Sequence, residues 1–369
     1  MGARLKIGIA GAGVLGRLLA WQLARAGHAV TVFDPATGPG APATGHIGTP
    51  VPYAAGFTAA GMLSPLAELD NAGPDIARLG WRSLVLWRQT ADALQAQGCA
   101  APLFAQHGSL MLAHGPDLGA ARRVLARLTA VPALTTAWPT PQALDRASLA
   151  ALEPAIAPGL HAWLLPDEAQ VMPREMLHAL AQHAPGVWWC WDEPVGDVAP
   201  GRIVLASGEA EAFDLAIDVR GQGARPALPV RGVRGEVIWL HAPGASLQRP
   251  LRLLHPRHRV YVVPRPGDLF VVGASEIESE DRSPVSLRSA VELMAAAHSV
   301  LPELAEARIV HMESNLRPAL PDNEPRIDHE PGLLRINGLF RHGWLLAPAL
   351  AQDAMARAGL AISEDTCHA

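Results

Sequence analysis

Apolar and polar positions follow two different rhythms along the chain. Residues 5–10 (LKIGIA) form a short apolar run that reads as a buried strand. Leu18, Leu19 and Leu23 then recur at helical spacing, and Gly27 is a natural stop. Residues 29–33 form a second β-rich run that ends at Asp34. The Gly/Pro-rich stretch 35–56 reads as a loop. Helical spacing predicts helices over 76–97, 116–129 and 141–153, the last stopped by Glu153-Pro154. Residues 103–114 read as a strand pair or one long strand, and 173–183 and 187–191 as a further helix and strand. From Arg231 the rhythm changes to period two. Residues 235–240, 252–255, 260–265 and 269–275 alternate, with a turn at Pro266-Gly267-Asp268, which predicts an antiparallel sheet with one buried face. A helix over 283–299 follows. The chain then returns to strand (333–337), loop (338–343) and helix (344–358).

This pattern predicts an α/β fold: a Rossmann-type domain built from separated segments, with an antiparallel-sheet substrate domain inserted. The expected dinucleotide-binding part is 1–95, 160–229 and 312–369, and the substrate part 96–159 and 230–311. The active site is expected where the two meet, at the carboxyl ends of the parallel strands.

The first βαβ unit carries chemistry. Gly11, Gly13 and Gly16 stand in a GxGxxG loop between strand and helix, and Asp34 lies 18 residues beyond Gly16. Gly11 allows a tight turn, Gly13 lets a pyrophosphate approach the backbone, and Gly16 lets the helix pack on the strand. The helix N-terminus offers free N–H groups to phosphates, and Asp34 is placed to accept from a ribose diol. An acid there argues against a 2′-phosphate, hence FAD or NAD over NADP. The competing reading is a structural βαβ turn without a ligand. The small residues from Thr58 to Leu63 would let a second loop lie close to a flat ligand.

Composition narrows the chemistry. Lys6 is the only lysine among 30 basic residues, so Schiff-base chemistry is excluded in practice, and no Gly-Lys-Ser/Thr triplet makes a P-loop. The three cysteines, Cys99, Cys190 and Cys367, form no close pair and give no disulfide framework or CxxC site. A net charge of −5 without a basic block argues against nucleic acid as a partner. His255 and His258 are three apart but have no third ligand in sequence, so no metal is expected. The N-terminal run superficially resembles a signal peptide, yet its glycines and Arg17 favour the nucleotide loop. No stretch is apolar enough for a membrane span, and a cytoplasmic protein is the expectation. The state of assembly, including a homo-oligomer, stays open.

Five segments in order resemble the D-amino-acid-oxidase-like family of FAD oxidoreductases. They are the Gly11–Gly16 loop with Asp34; Ala59-Ala60-Gly61-Met62-Leu63-Ser64-Pro65 with Glu68; Leu164-Leu165-Pro166-Asp167-Glu168-Ala169-Gln170-Val171 before Pro173; Tyr261-Val262-Val263-Pro264-Arg265 with Val272-Gly273-Ala274-Ser275-Glu276; and Leu316-Arg317-Pro318 with Phe340-Arg341-His342-Gly343-Trp344. Within the family the chain looks most like the glycine oxidase branch, which makes the imine used in thiamine thiazole synthesis. The resemblance implies FAD contacts from Val14, Leu15, Asp34, Pro35, Ala60, Gly61, Met62 and Val195. It implies that Leu339, Phe340, Arg341, His342, Gly343, Trp344 and Leu345 wrap the flavin end. It places Arg317 and Arg341 at the substrate carboxylate with Tyr261 beside them, as the catalytic and substrate-binding set. The long loop before Thr58, Phe57 itself, the segment Arg220-Gly221-Gln222-Gly223-Ala224, and Leu339 depart from the family pattern.

On spacing alone Arg317 is also readable as a surface salt-bridge residue and Tyr261 as a core aromatic. With the resemblance, the expected reaction is oxidation of glycine, a related small amine or a D-amino acid to the imine, with oxygen reduced to hydrogen peroxide. The alternatives are a D-amino acid or sarcosine oxidase or dehydrogenase of the same fold, an NAD-dependent dehydrogenase, and a dinucleotide-binding module without activity.

Overall fold

The computed structural model describes residues 3–40, 53–130, 138–254 and 259–360. Residues 41–52 of the expected loop 35–56, together with His255, His258 and Cys367, lie outside them. The chain begins with β1 (Lys6–Ala10), α1 (Val14–Arg25) and β2 (Ala29–Asp34). Ile7, Ile9, Leu18, Leu19 and Leu23 are fully buried, so the apolar rhythm marks the buried faces. Next come β3 (Met62–Leu63), α2 (Pro65–Glu68) and α3 (Pro74–Ala96), then β4 (Phe104–Ala105) and β5 (Ser109–Ala113), parted by a turn at Gly108. Residues 103–114 thus hold two strands, which join different sheets and do not pair with each other, and not one long strand.

Then follow α4 (Leu118–Ala130), β6 (Gln142–Leu144), α5 (Arg146–Leu152), β7 (His161–Leu165) and β8 (Ala169–Val171). The helix expected over 141–153 is therefore short. Asp145 caps it by accepting from the Ser148 N–H at 2.7 Å, and the residues before the cap pair as β6 with β7. Helix α6 (Pro173–Gln182) and strand β9 (Trp188–Trp191) match the expected αβ unit. The sequence reading did not place β10 (Val195–Ala199), β11 (Arg202–Leu205), β12 (Ala210–Ala212) or β13 (Leu215–Asp218). Strands β14 (Arg231–His241), β15 (Leu251–Leu254), β16 (Arg259–Arg265) and β17 (Leu269–Gly273) are the period-two stretch. The chain ends with α7 (Leu287–Val300), β18 (Arg308–Ala319), β19 (Arg326–Glu330), β20 (Leu333–Asn337) and α8 (Gly343–Arg357).

Two large sheets result. One has the order β19-β20-β13-β1-β2-β9 and is parallel except for the antiparallel edge strand β19. The other has the order β18-β14-β17-β16-β15-β5-β7-β6, antiparallel except where β15 meets β5. Alternation fixes its two faces. Val260, Val262 and Val272 face α7 through Ala290, Leu293 and Ala297. Tyr261, Val263 and Val271 face the other way, toward Ala60 and Met62. Helices α1, α3, α6 and α8 share one apolar core with β1 and β2. The first sheet thus presents the ends of β1 and β2 toward the second sheet's Tyr261 face.

Candidate active site

A single cavity of about 1000 Å³ reaches from the Gly11 loop to the Tyr261 face of the second sheet. Its nucleotide end follows from three glycines. Gly11 adopts φ +103°, and a Cβ there would stand 2.8 Å from the Val219 carbonyl oxygen. A Cβ on Gly16 would stand 1.8 Å from the Gly11 carbonyl oxygen, so only glycine lets α1 sit this close. Gly13 is the N-cap of α1, no side chain caps the helix, and its first turn carries no acid. The helix therefore turns bare N–H groups and a partial positive charge to the cavity. Asp34 accepts from the Ala12 N–H at 2.6 Å and the Ala36 N–H at 2.9 Å, which ties the loop to the end of β2.

At the far end, Arg317 is held by the carbonyls of Arg234 (3.3 Å) and Ser275 (3.0 Å) and makes no ion pair among the described residues. Burial pulls its basicity down, with Tyr261 and Glu276 opposing. Two glycines make room for this end. A Cβ on Gly235 would lie 2.5 Å from the Arg317 Cζ, and one on Gly273 2.5 Å from the Tyr261 hydroxyl. Burial pushes the Tyr261 phenol up, against the pull of Arg317, Arg252, Arg265 and Arg341. The phenol is thus held protonated, as a hydrogen-bond donor.

Arg341 is not free. It pairs with Glu68 at 3.4 Å and with Glu276 at 3.3 Å. Glu68 also meets Arg252 at 3.4 Å and the His342 Nδ1 at 3.5 Å. Burial alone would raise the Glu68 carboxyl, but Arg341, His342 and Arg252 together hold it down at about 2. Its helix α2 is secured from behind by Glu168, which accepts from the Ala67 N–H at 2.9 Å and from the Ser109 hydroxyl.

The structure brings nearly all the sequence-picked residues to one cavity. Tyr261, Arg317, Arg341 and the expected FAD contacts line the cavity, except Gly16 and His342. Gly16 packs on Gly11, and His342 turns behind the wall against Glu68. The divergent segment at 220–224 lies at the nucleotide end. There Arg220 grips Asp218 at 2.7 Å and donates to the Val195 carbonyl at 3.0 Å.

Other residues escaped the sequence reading. Arg17 is buried in α1, donating to the carbonyls of Ala12 (2.7 Å), Pro39 (2.8 Å) and Leu177 (2.8 Å). Burial, opposed by Asp34, lowers its pKa to about 10. An arginine on an apolar helix face was the available signal. Tyr53, the other of the two tyrosines, donates to Glu313 at 2.7 Å. The same carboxylate accepts from Arg174 (3.0 Å) and Trp239 (2.9 Å), so it anchors the 53–58 segment to β18 and β14. Arg252 was missed too, although its register opposite Tyr261 is what period two implies.

A family model described as FAD dependent oxidoreductase (DAO) matches residues 6–357. The chain belongs to this family. FAD is its cofactor. A Rhizobium etli protein named as the thiamine biosynthesis oxidoreductase ThiO is 37% identical over 358 residues, covering 96% of each chain. The glycine oxidase of Geobacillus kaustophilus is 25% identical, over 94% of this chain and 90% of that one. Two solved structures share the fold. The iminodiacetate oxidase IdaA of Chelativorans sp. BNC1 has a TM-score of 0.81 at 24% identity, over 97% of this chain and 96% of that one. The Geobacillus glycine oxidase has a TM-score of 0.80 at 24% identity, over 98% and 99%.

The cavity fits a DAO flavin. A loop in which Gly11 and Gly16 admit no side chain, an uncapped helix N-terminus and an acid at the end of β2 are what a diphosphate and a ribose require. Among the described residues no cluster of three metal-binding side chains occurs, and no helix is long and apolar enough to cross a membrane.

Proposed function

We propose that this chain oxidises glycine or a closely related small amine to the imine, with oxygen reduced to hydrogen peroxide, and that the imine supplies thiamine thiazole synthesis. One observation carries the reading. Arg317, a half-buried guanidinium without an ion-pair partner among the described residues, stands beside Tyr261 in the same cavity as the dinucleotide loop. The name of the Rhizobium relative supports the thiamine link, and that of the Geobacillus relative supports glycine.

The residues divide the work. Bound FAD supplies the two-electron acceptor. Gly11, Gly13, Val14 and Leu15 hold its diphosphate side and Asp34 its ribose. Ala60, Gly61, Met62, Val195 and the segment Leu339–Leu345 close around it. Arg317 spends two of its five N–H donors on carbonyls and keeps the rest for a carboxylate. The Tyr261 phenol donates to the same carboxylate or to a water on it. These two contacts fix the amino acid so that its Cα–H is presented in one direction. Glu68, held as an anion, fixes Arg341 and serves as no base at neutral pH. The amine must therefore enter neutral, and the rate is expected to rise with pH as the substrate ammonium deprotonates. Arg341 and the N-terminus of α8 supply positive potential at this end.

An oxygen-electrode panel of glycine, sarcosine and D-alanine, with peroxide detection, tests the reading. Oxygen uptake and peroxide with glycine support it. Turnover of D-alanine or sarcosine alone points to the sibling oxidases, and electron transfer only to a quinone points to a dehydrogenase.

A further inference from the structure

Strand register sets a row of residues on the cavity face of the second sheet. Met111, Arg252, Tyr261 and Gly273 stand opposite one another on β5, β15, β16 and β17. Tyr261 therefore has Arg252 on one side. On the other side, past Gly273, which the Tyr261 ring covers, the Arg317 guanidinium lies over Gly235.

In the function proposed above, Arg317 takes the amino-acid carboxylate, and nothing there uses Arg252. Yet Arg252 lines the cavity, and its buried Nε has no hydrogen-bond partner. Its ion-pair partner among the described residues is Glu68, at 3.4 Å. That carboxylate is shared with Arg341, and its Oε2 makes no hydrogen bond. Arg341 has a second acid, Glu276, which Arg252 lacks. Glu168 is committed to Ala67 and Ser109, and burial pushes its carboxyl up, so it is a poor counter-ion for Arg252. Four guanidiniums act on the Tyr261 phenol, and the buried Glu68 carboxylate acts on two of them, Arg341 and Arg252. Glu276 is half exposed and screened by water. A planar fork with an unmet donor, on the cavity wall and short of negative charge, is a place for a ligand carboxylate.

We propose that Arg252 forms a second anion subsite, so that the pocket prefers amines carrying two carboxylates over glycine. This rests on the amine-oxidase reading for the amine, while the subsite itself is a matter of anion binding. Arg317 holds the carboxylate next to the reacting carbon, and Arg252 receives the second one across Tyr261.

The holoenzyme is titrated with thiodiacetate, a dicarboxylate without an oxidisable amine, and with (methylthio)acetate, its monocarboxylate counterpart. The flavin absorbance change reports binding. Wild-type protein is expected to bind thiodiacetate at least about tenfold more tightly. Arg252→Met is expected to bring the two within about twofold, and Arg252→Lys, which keeps the charge beside Glu68 but loses the fork, to fall between. Equal binding of the two ligands by wild-type protein overturns the subsite, whether or not the variants fold. Anaerobic bleaching by glycine runs alongside. Bleaching without a dicarboxylate preference overturns the subsite and leaves the amine-oxidase reading standing. A dicarboxylate preference without bleaching by glycine or iminodiacetate supports the subsite and overturns that reading.

Discussion

Arg317 lies against Gly235 so closely that a single added methyl group would stand 2.5 Å from its guanidinium carbon. The glycine on β14 is therefore part of how the arginine on β18 is aimed. Gly235→Ala is predicted to tilt Arg317 out of its carbonyl cradle. A charge-assisted hydrogen bond contributes about 1.5–3 kcal/mol, so the KM for glycine should rise roughly 10- to 100-fold while the flavin stays bound. Steady-state kinetics together with the flavin spectrum check this.

Arg317→Ala removes the contact altogether. The KM for glycine should rise by about two orders of magnitude or more, and kcat/KM should fall at least as far. An unchanged KM would remove Arg317 from the carboxylate site.

Gly16→Ala should act at the opposite end of the cavity. Its methyl group would collide with the Gly11 carbonyl, so α1 must move away from the loop that faces the diphosphate. Such protein is predicted to purify pale, and added FAD should restore little of the yellow absorbance. Gly13→Ala, whose Cβ would meet only the Ala54 Cβ at 3.7 Å within the protein, should fold normally and lose FAD affinity.

Glu68 and Glu313 link the site to stability against acid. Both carboxyls are held at about 2, below their ordinary 4.5; Glu68 owes this to Arg341, His342 and Arg252, and Glu313 to His311, Arg174 and Tyr53, each set outweighing burial. A carboxyl depressed in the folded state stabilises fully above its unfolded value and ceases to do so as pH falls through its folded value. Each group therefore contributes of order 3 kcal/mol near neutrality, lost between about pH 4.5 and pH 2. Urea midpoints measured across that window should fall steeply for wild-type protein and less steeply for Glu313→Gln.

The nucleotide half was legible in the sequence because each of its parts is local. Gly11, Gly13, Gly16 and Asp34 sit within one βαβ unit, and their spacing alone states the geometry. Arg317, Arg341 and Tyr261 were legible through family resemblance, since in an arginine-rich chain their type says little. The contacts that remained hidden span long sequence separations. Arg252 meets Glu68 across 184 residues, and Tyr53 reaches Glu313 across 260. Strand β18 escaped because its first half, with Ile309, Val310 and Met312 exposed at a sheet edge, lacks the alternation that marks a half-buried strand. The helix expected at 141–153 was too long because a capping aspartate, Asp145, was read as interior.

Anaerobic mixing of the holoenzyme with glycine tests the central claim most directly, with flavin absorbance as the readout. The account predicts bleaching that saturates with glycine concentration, and in Arg317→Ala the same bleaching displaced to much higher concentrations. Flavin that stays oxidised with both glycine and iminodiacetate would contradict it, even where D-alanine or sarcosine bleaches it.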